Sequence, residues 1–270
     1  MYKSIAILLT LAILVSGCGG QSPLDQAGTM VAQTVAAEPP TGTHQPSSTL
    51  SPTGTPTFIS TATANIALTA TLEAYHVVSD LDVFIGPNSG ISYKDGYLAW
   101  KQNQPVTIKM TGPQKDAGLF EQIDEKIQAT DFIFKSDVTW NASGVLICGL
   151  IFRSEIDLAK GEQYQFYFYR LSGLPAYFID AYEFGRRKYS VSTTKFSDTL
   201  NVENDGSNQF LLVAQGNAFD VFINGIHQGR FHDESQQRRS SGIFGFLGWQ
   251  ESGEGSCSFE NSWIWLLPDQ

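Results

Sequence analysis

Between Gln163 and Arg170 the side chains alternate: Gln165, Tyr167 and Tyr169 share one face, and Tyr164, Phe166 and Phe168 share the other. Aromatic rings stack on the C–H faces of sugars, and amide or guanidinium groups answer sugar hydroxyls. The row Gln165, Tyr167 and Tyr169, with Arg153 emerging nearby and Trp249 on a Gly-rich loop, is therefore a candidate ligand-binding surface. The two tyrosines have an alternative, structural use, packed beneath a loop or against Tyr177 and Tyr182 of a neighbouring strand. A second grouping, Glu155-Ile156-Asp157, supplies two carboxylates. Cleavage of a glycosidic bond needs one carboxylate as nucleophile or base and another as acid, and a lone pair lacks that division of labour. The pair also follows Arg153 and precedes Gly161, which suits a solvated connecting loop. His76, His227 and His232 form no ligand cluster, since His227 and His232 lie at an odd offset that faces opposite sides of a strand. No Gly-x-Ser-x-Gly elbow or phosphate-binding glycine loop is present, so the residues imply no catalytic group, metal or other cofactor. Calcium is left open, but no residue set supports it.

The elements that must position these groups are strands. The chain has 270 residues with 18 Phe, 10 Tyr, 5 Trp, 25 Gly and 11 Pro, a composition that favours strands and turns over helices. Phe132, Phe134, Val138 and Trp140 alternate with Lys135, Asp137 and Thr139, so one face packs and the other is wet. Residues 145–152 are apolar on both faces until Arg153 emerges, which predicts a strand covered on both sides. Strands over 209–214 and 218–223 are joined at Gly216-Asn217, and Asn224-Gly225 marks a hairpin returning through 228–232. Strands over 242–247 and 258–266 complete a mainly antiparallel set, with a helical turn or two expected around Leu119, Ile123 and Ile127. The predicted fold is all-β, a two-sheet antiparallel jelly-roll sandwich. Cys148 and Cys257 lie on apolar faces of their strands, as a disulfide between two strands or as buried thiols.

The amino end reads as an address. Lys3 precedes an apolar run from Ile5 to Val15, about 16 Å as a helix and half of a ~30 Å bilayer core, which fits a secretory signal and not a membrane span. Leu14-Val15-Ser16-Gly17-Cys18 resembles the bacterial lipobox, which implies cleavage after residue 17 and a lipid on Cys18. Residues 18–74 are dominated by Thr, Ser, Ala, Pro and Gly, with no Lys or Arg, and are expected to form a disordered tether. The folded domain is expected over 75–270. It holds 16 of the 17 bases and 24 of the 27 acids, a net charge of −8, which argues against a nucleic-acid partner. The expected location is extracytoplasmic, on a bacterial membrane through Cys18.

Phe84-Ile85-Gly86-Pro87-Asn88-Ser89-Gly90, Tyr93-Lys94-Asp95-Gly96-Tyr97, Gly149-Leu150-Ile151-Phe152-Arg153, Asn224-Gly225, Ser241-Gly242-Ile243-Phe244-Gly245 and Phe259-Glu260-Asn261 occur in an order that resembles concanavalin A-like, laminin G-like jelly rolls, over roughly residues 80–267. That superfamily includes lectins, glucanases and domains similar to 3-keto-disaccharide hydrolases. Glu155-Ile156-Asp157 looks like the opening of the Glu-x-Asp-x-(x)-Glu strand of its glucanases, but Ala159 and Lys160 stand where the third acid belongs. The resemblance implies a lipoprotein presenting a non-catalytic domain for carbohydrate or cell-envelope binding. The alternatives are a glycoside or keto-disaccharide hydrolase of the same fold and a protein-interaction or structural module.

Overall fold

The computed structural model describes residues 61–86, 90–114, 118–171 and 173–268. The signal segment, Cys18 and the expected tether up to residue 60 lie outside the described residues. One helix, α1 (Thr61–Phe84), precedes fourteen strands: β1 (Tyr97–Lys101), β2 (Val106–Thr111), β3 (Leu119–Gln122), β4 (Phe132–Ala142), β5 (Leu146–Ser154), β6 (Gln163–Leu171), β7 (Leu174–Glu183), β8 (Arg186–Ser190), β9 (Lys195–Phe196), β10 (Ser207–Gln215), β11 (Ala218–Ile223), β12 (Ile226–His232), β13 (Ile243–Gln250) and β14 (Glu254–Leu266). Two antiparallel sheets form a jelly-roll sandwich. The first runs β1-β14-β4-β10-β11-β12, with β2 also on β14; the second runs β3-β13-β5-β6-β7-β8, with β9 on β7.

The period-two pattern produces the core. Phe134, Trp140, Phe210, Phe219 and Phe259 of the first sheet face Cys148, Phe152, Phe166, Phe168 and Phe246 of the second. Rings stack between the sheets, Phe168 on Phe210 at 3.6 Å and Phe246 on Phe259 at 4.4 Å between centroids. Cys148 of β5 and Cys257 of β14 are disulfide-bonded with their Cα atoms 5.8 Å apart, so the bridge joins one sheet to the other. The β11–β12 hairpin turns at Asn224 and Gly225, both with positive φ (50° and 78°), the conformation that Asn-Gly accepts at least cost.

One expectation is corrected. Leu119 does not open a helical turn: β3 pairs with β13 at the sheet edge, and Ile123 is buried just beyond it, so the four-residue spacing of Leu119, Ile123 and Ile127 does not reflect a helix. The helix lies earlier, in α1, which spans positions 74 and 75. Val77, Leu81 and Ile85 recur at helical spacing and are buried, with Ala74 and Val78 partly so. They pack on Ile133, Leu211, Val213, Phe222, Trp263 and Trp265 of the first sheet's outer face. An isolated helix of this composition is marginal in water, and this packing is what stabilises it. No helix among the described residues is long and apolar enough to cross a membrane.

Candidate functional site

The candidate surface is the outer face of the second sheet. Register places Trp249 (β13) opposite Ile147 (β5), and Ile147 opposite Tyr169 (β6). All three are partly exposed, as is Phe178 of β7, whose ring lies 5.5 Å from that of Tyr169. Adjacent strands lie about 4.8 Å apart, so Trp249 and Tyr169 flank Ile147 across roughly 10 Å. Gly149 makes room within this face, because a Cβ there would meet Leu247 Cδ2 at 3.2 Å and the Phe166 carbonyl oxygen at 3.0 Å. Among the described residues, only side chains of this sheet and Leu158 of the β5–β6 loop join the apolar cluster on this face.

The centre of the face is closed. Tyr167, 5% exposed, packs its ring 4.6 Å from Phe178 and 5.7 Å from Tyr182, and its hydroxyl donates to Gln165 Oε1. Burial pushes the Tyr167 phenol well above its ordinary pKa. Gln165 is fully buried, and its Nε2 has no hydrogen-bond partner among the described residues. Opposite it in register stands Asp180, 1% exposed, whose hydrogen-bonding neighbour is the Ser190 side chain of β8. Burial raises the Asp180 pKa, and Ser190 and Arg187, whose Nη1 lies 3.9 Å from Oδ2, only partly oppose it. Tyr167 and Gln165 therefore belong to the packed floor and not to an open ligand row. Of the two packing neighbours considered for the tyrosines, Tyr182 is the one found; Tyr177 points into the core, where its hydroxyl donates to the Gln228 carbonyl.

Arg153 is a further correction. The register of β5 against β13 slips between Ile243 and Gly245, and Arg153 takes a positive φ of 49°. This bulge re-aims a side chain that strict alternation would send outward. The guanidinium is fully buried: Nε and Nη2 donate to the Thr130 carbonyl at 3.0 and 2.6 Å, and its carbon sits 5.3 Å from the Phe219 ring centre. Asp131 Oδ1 lies 3.6 Å from Nη2. Burial lowers the Arg153 pKa, opposed by Tyr164, Asp131 and Asp233. Asp233 in turn accepts from the Tyr164 hydroxyl, from the Tyr189 hydroxyl at 2.9 Å and from the Ser235 amide at 2.8 Å. These polar groups fasten one end of the sandwich.

The carboxylates of the β5–β6 loop hold that loop together. Asp157 Oδ1 accepts from the Ala159 and Lys160 amides at 3.0 and 3.1 Å, an Asx-type turn, while Glu155 accepts from the Glu162 amide and pairs with Arg239 at 3.3 Å. His227 pairs with Asp220 at 3.0 Å. Among the described residues no three His, Cys, Asp or Glu side chains gather to hold a metal ion. Phe178 and Asp180 are members of the face that sequence reasoning did not assign to it. Their signal was the alternation Phe178, Asp180, Tyr182 in the strand after Tyr169.

No family model matches the chain, and no curated protein matches it. Solved structures do resemble it. The carbohydrate-binding module CBM66 from Bacillus subtilis is 18% identical, with 58% of this chain and 94% of that one covered at a TM-score of 0.45. A Bacillus subtilis protein of unknown function with a galectin-like fold is 11% identical over 70% of this chain and 96% of its own, also at 0.45. A PL7 alginate lyase from Zobellia galactanivorans is 15% identical over 67% and 86%, at 0.41.

Proposed function

We propose that this protein is a lipid-anchored, extracytoplasmic bacterial lipoprotein whose sandwich domain binds carbohydrate on the outer face of its second sheet, without catalysis. The observation that carries the binding reading is the partly exposed row Trp249, Ile147 and Tyr169, extended by Phe178, on a face that no described helix covers. Three aromatic rings and one isoleucine left partly in water across four neighbouring strands cost solvation that a stacked sugar face would recover. The buried floor of Tyr167, Gln165 and Asp180 holds that platform rigid, which lowers the ordering cost of binding. Lipid attachment at Cys18 is the sequence-based half of the proposal.

A glycan array probed with the full chain tests the binding half. Capture of one or more glycans by the wild type, weakened about tenfold by Trp249→Ala or Tyr169→Ala with thermal unfolding unchanged, is the expected result. Equal capture by both variants would remove this face from the function. Incorporation of labelled palmitate, absent from Cys18→Ala, is the outcome expected for the anchor.

A further inference from the structure

A second candidate site lies on the edge of the first sheet. Tyr97, the first residue of β1, is 62% exposed and lines two neighbouring hollows. One, about 530 Å³, lies between α1 and β1. Lys101 and Asn103 line it, and so does Glu73 of α1, which pairs with Lys101 at 3.3 Å. The other, about 490 Å³, is walled by Gln128, Thr130, Asp131 and Ser241, with Leu266, Leu267 and Pro268 beneath. Both volumes fall in the range of small-molecule sites, roughly 300–1,000 Å³.

The chemistry of the walls selects the ligand. An open aromatic ring lines both hollows: Asn103 stands in the first, beside the Glu73–Lys101 pair and the apolar Leu98 and Trp100, and Gln128, Thr130 and Ser241 stand in the second. Such groups both donate and accept, as paired sugar hydroxyls require, and the ring offers a stacking face midway. One wall is already fixed, because Asp131 Oδ1 accepts from the Gly216 amide at 2.9 Å and lies 3.6 Å from the Arg153 guanidinium. An extended peptide added to the free edge of β1 is the competing occupant. The register shift between Leu98 and Trp100 works against it, since an irregular strand offers no continuous ladder to a partner. We infer that the cleft passing Tyr97 is a second carbohydrate site, separate from the face carrying Trp249, which takes a linear oligosaccharide stacked at its middle on the Tyr97 ring.

The test titrates the full chain with soluble linear glucan, xylan and polyuronate oligosaccharides by calorimetry, and separately screens an extended-peptide library. Tyr97→Ala is compared with the double variant Asn103→Ala and Gln128→Ala and with Trp249→Ala, each checked by its unfolding temperature. The expected result is an affinity loss of about tenfold or more for at least one oligosaccharide in Tyr97→Ala, a smaller loss in the amide variant, and retention of that binding in Trp249→Ala. Unchanged oligosaccharide binding in Tyr97→Ala overturns the inference while leaving the Trp249 face untouched. Peptide capture that depends on Tyr97, without oligosaccharide binding, overturns it in favour of strand addition. A wild type that binds none of the saccharides overturns it as well.

Discussion

Asp180 should make the protein less stable at neutral pH than an uncharged side chain in its place would. The carboxylate is 1% exposed, and its support among the described residues is limited to the Ser190 side chain opposite it and to Arg187, 3.9 Å away on a side chain that is itself 63% exposed. Burial raises its pKa in the folded state. A folded pKa above the unfolded value of about 3.9 means that the native state holds the proton more tightly. The stabilisation linked to this group is therefore complete below about pH 3.9 and is lost as the pH rises through the raised folded value. Asp180→Asn removes the charge and keeps the shape. An unsatisfied buried polar group costs about 1–3 kcal/mol, and more when charged, so the Asn variant should gain roughly that amount at pH 7.5 and little near pH 4. For a domain of this size 1 kcal/mol is about 2–4 °C in unfolding temperature, which puts the expected gain at about 2–12 °C. Parallel melts of the two proteins from pH 4 to 7.5, followed by circular dichroism, read out the difference, and subtracting them cancels the titration of the remaining carboxylates. A variant that melts lower than wild type at pH 7.5 would refute the reasoning, because it would mean that the carboxylate is a paired acceptor holding β6 to β7.

Two further perturbations probe the frame of the fold. The Cys148–Cys257 bridge closes a loop of 109 residues, for which the chain-entropy account gives about 4–5 kcal/mol, so Cys148→Ala with Cys257→Ala should lower the urea midpoint by a corresponding amount; a midpoint equal to that of unreduced wild type would show that the sheets need no cross-link. Leu81 is fully buried between α1 and the first sheet, and Leu81→Ala should cost about 2–5 kcal/mol in a single cooperative transition, whereas a loss below 0.5 kcal/mol, about the scatter of surface substitutions, would place α1 outside the cooperative unit.

What was legible in the sequence was whatever a local period encodes. The alternation from Gln163 to Arg170 places Tyr164, Phe166 and Phe168 in the core and Gln165, Tyr167 and Tyr169 on the opposite face, as the register shows. Alternation assigns a face but not its cover, and the same pattern fits an exposed Tyr167 and one sealed by Phe178 and Tyr182. Arg153 escaped the pattern because its direction depends on a slip against β13, some ninety residues later, and no residue near position 153 announces it. The Tyr97 cleft was hidden for a similar reason: Tyr97, Gln128 and Ser241 are distant in sequence and meet only when β1, the segment before β4 and the segment before β13 come to the same end of the sandwich.

The two outer faces differ in a way that the sequence does carry, and the difference bears on which of them is free to bind. On the first sheet, Ile133, Leu211, Val213, Phe222, Trp263 and Trp265 form an apolar field. Such a field in water is unfavourable, and the chain covers it with the stripe Val77 and Leu81 of α1 and Ile85 just beyond it. On the second sheet, Gln165 and Asp180 interrupt the corresponding field, and Tyr167 lies across Gln165. Gln165 and Asp180 are already 0% and 1% exposed, closed off by side chains of their own sheet, so the face needs no helix to shield them, and what it leaves partly in water is Trp249, Ile147, Tyr169 and Phe178. The proposed carbohydrate site therefore rests on a face whose polar floor is sealed and whose apolar rim is open.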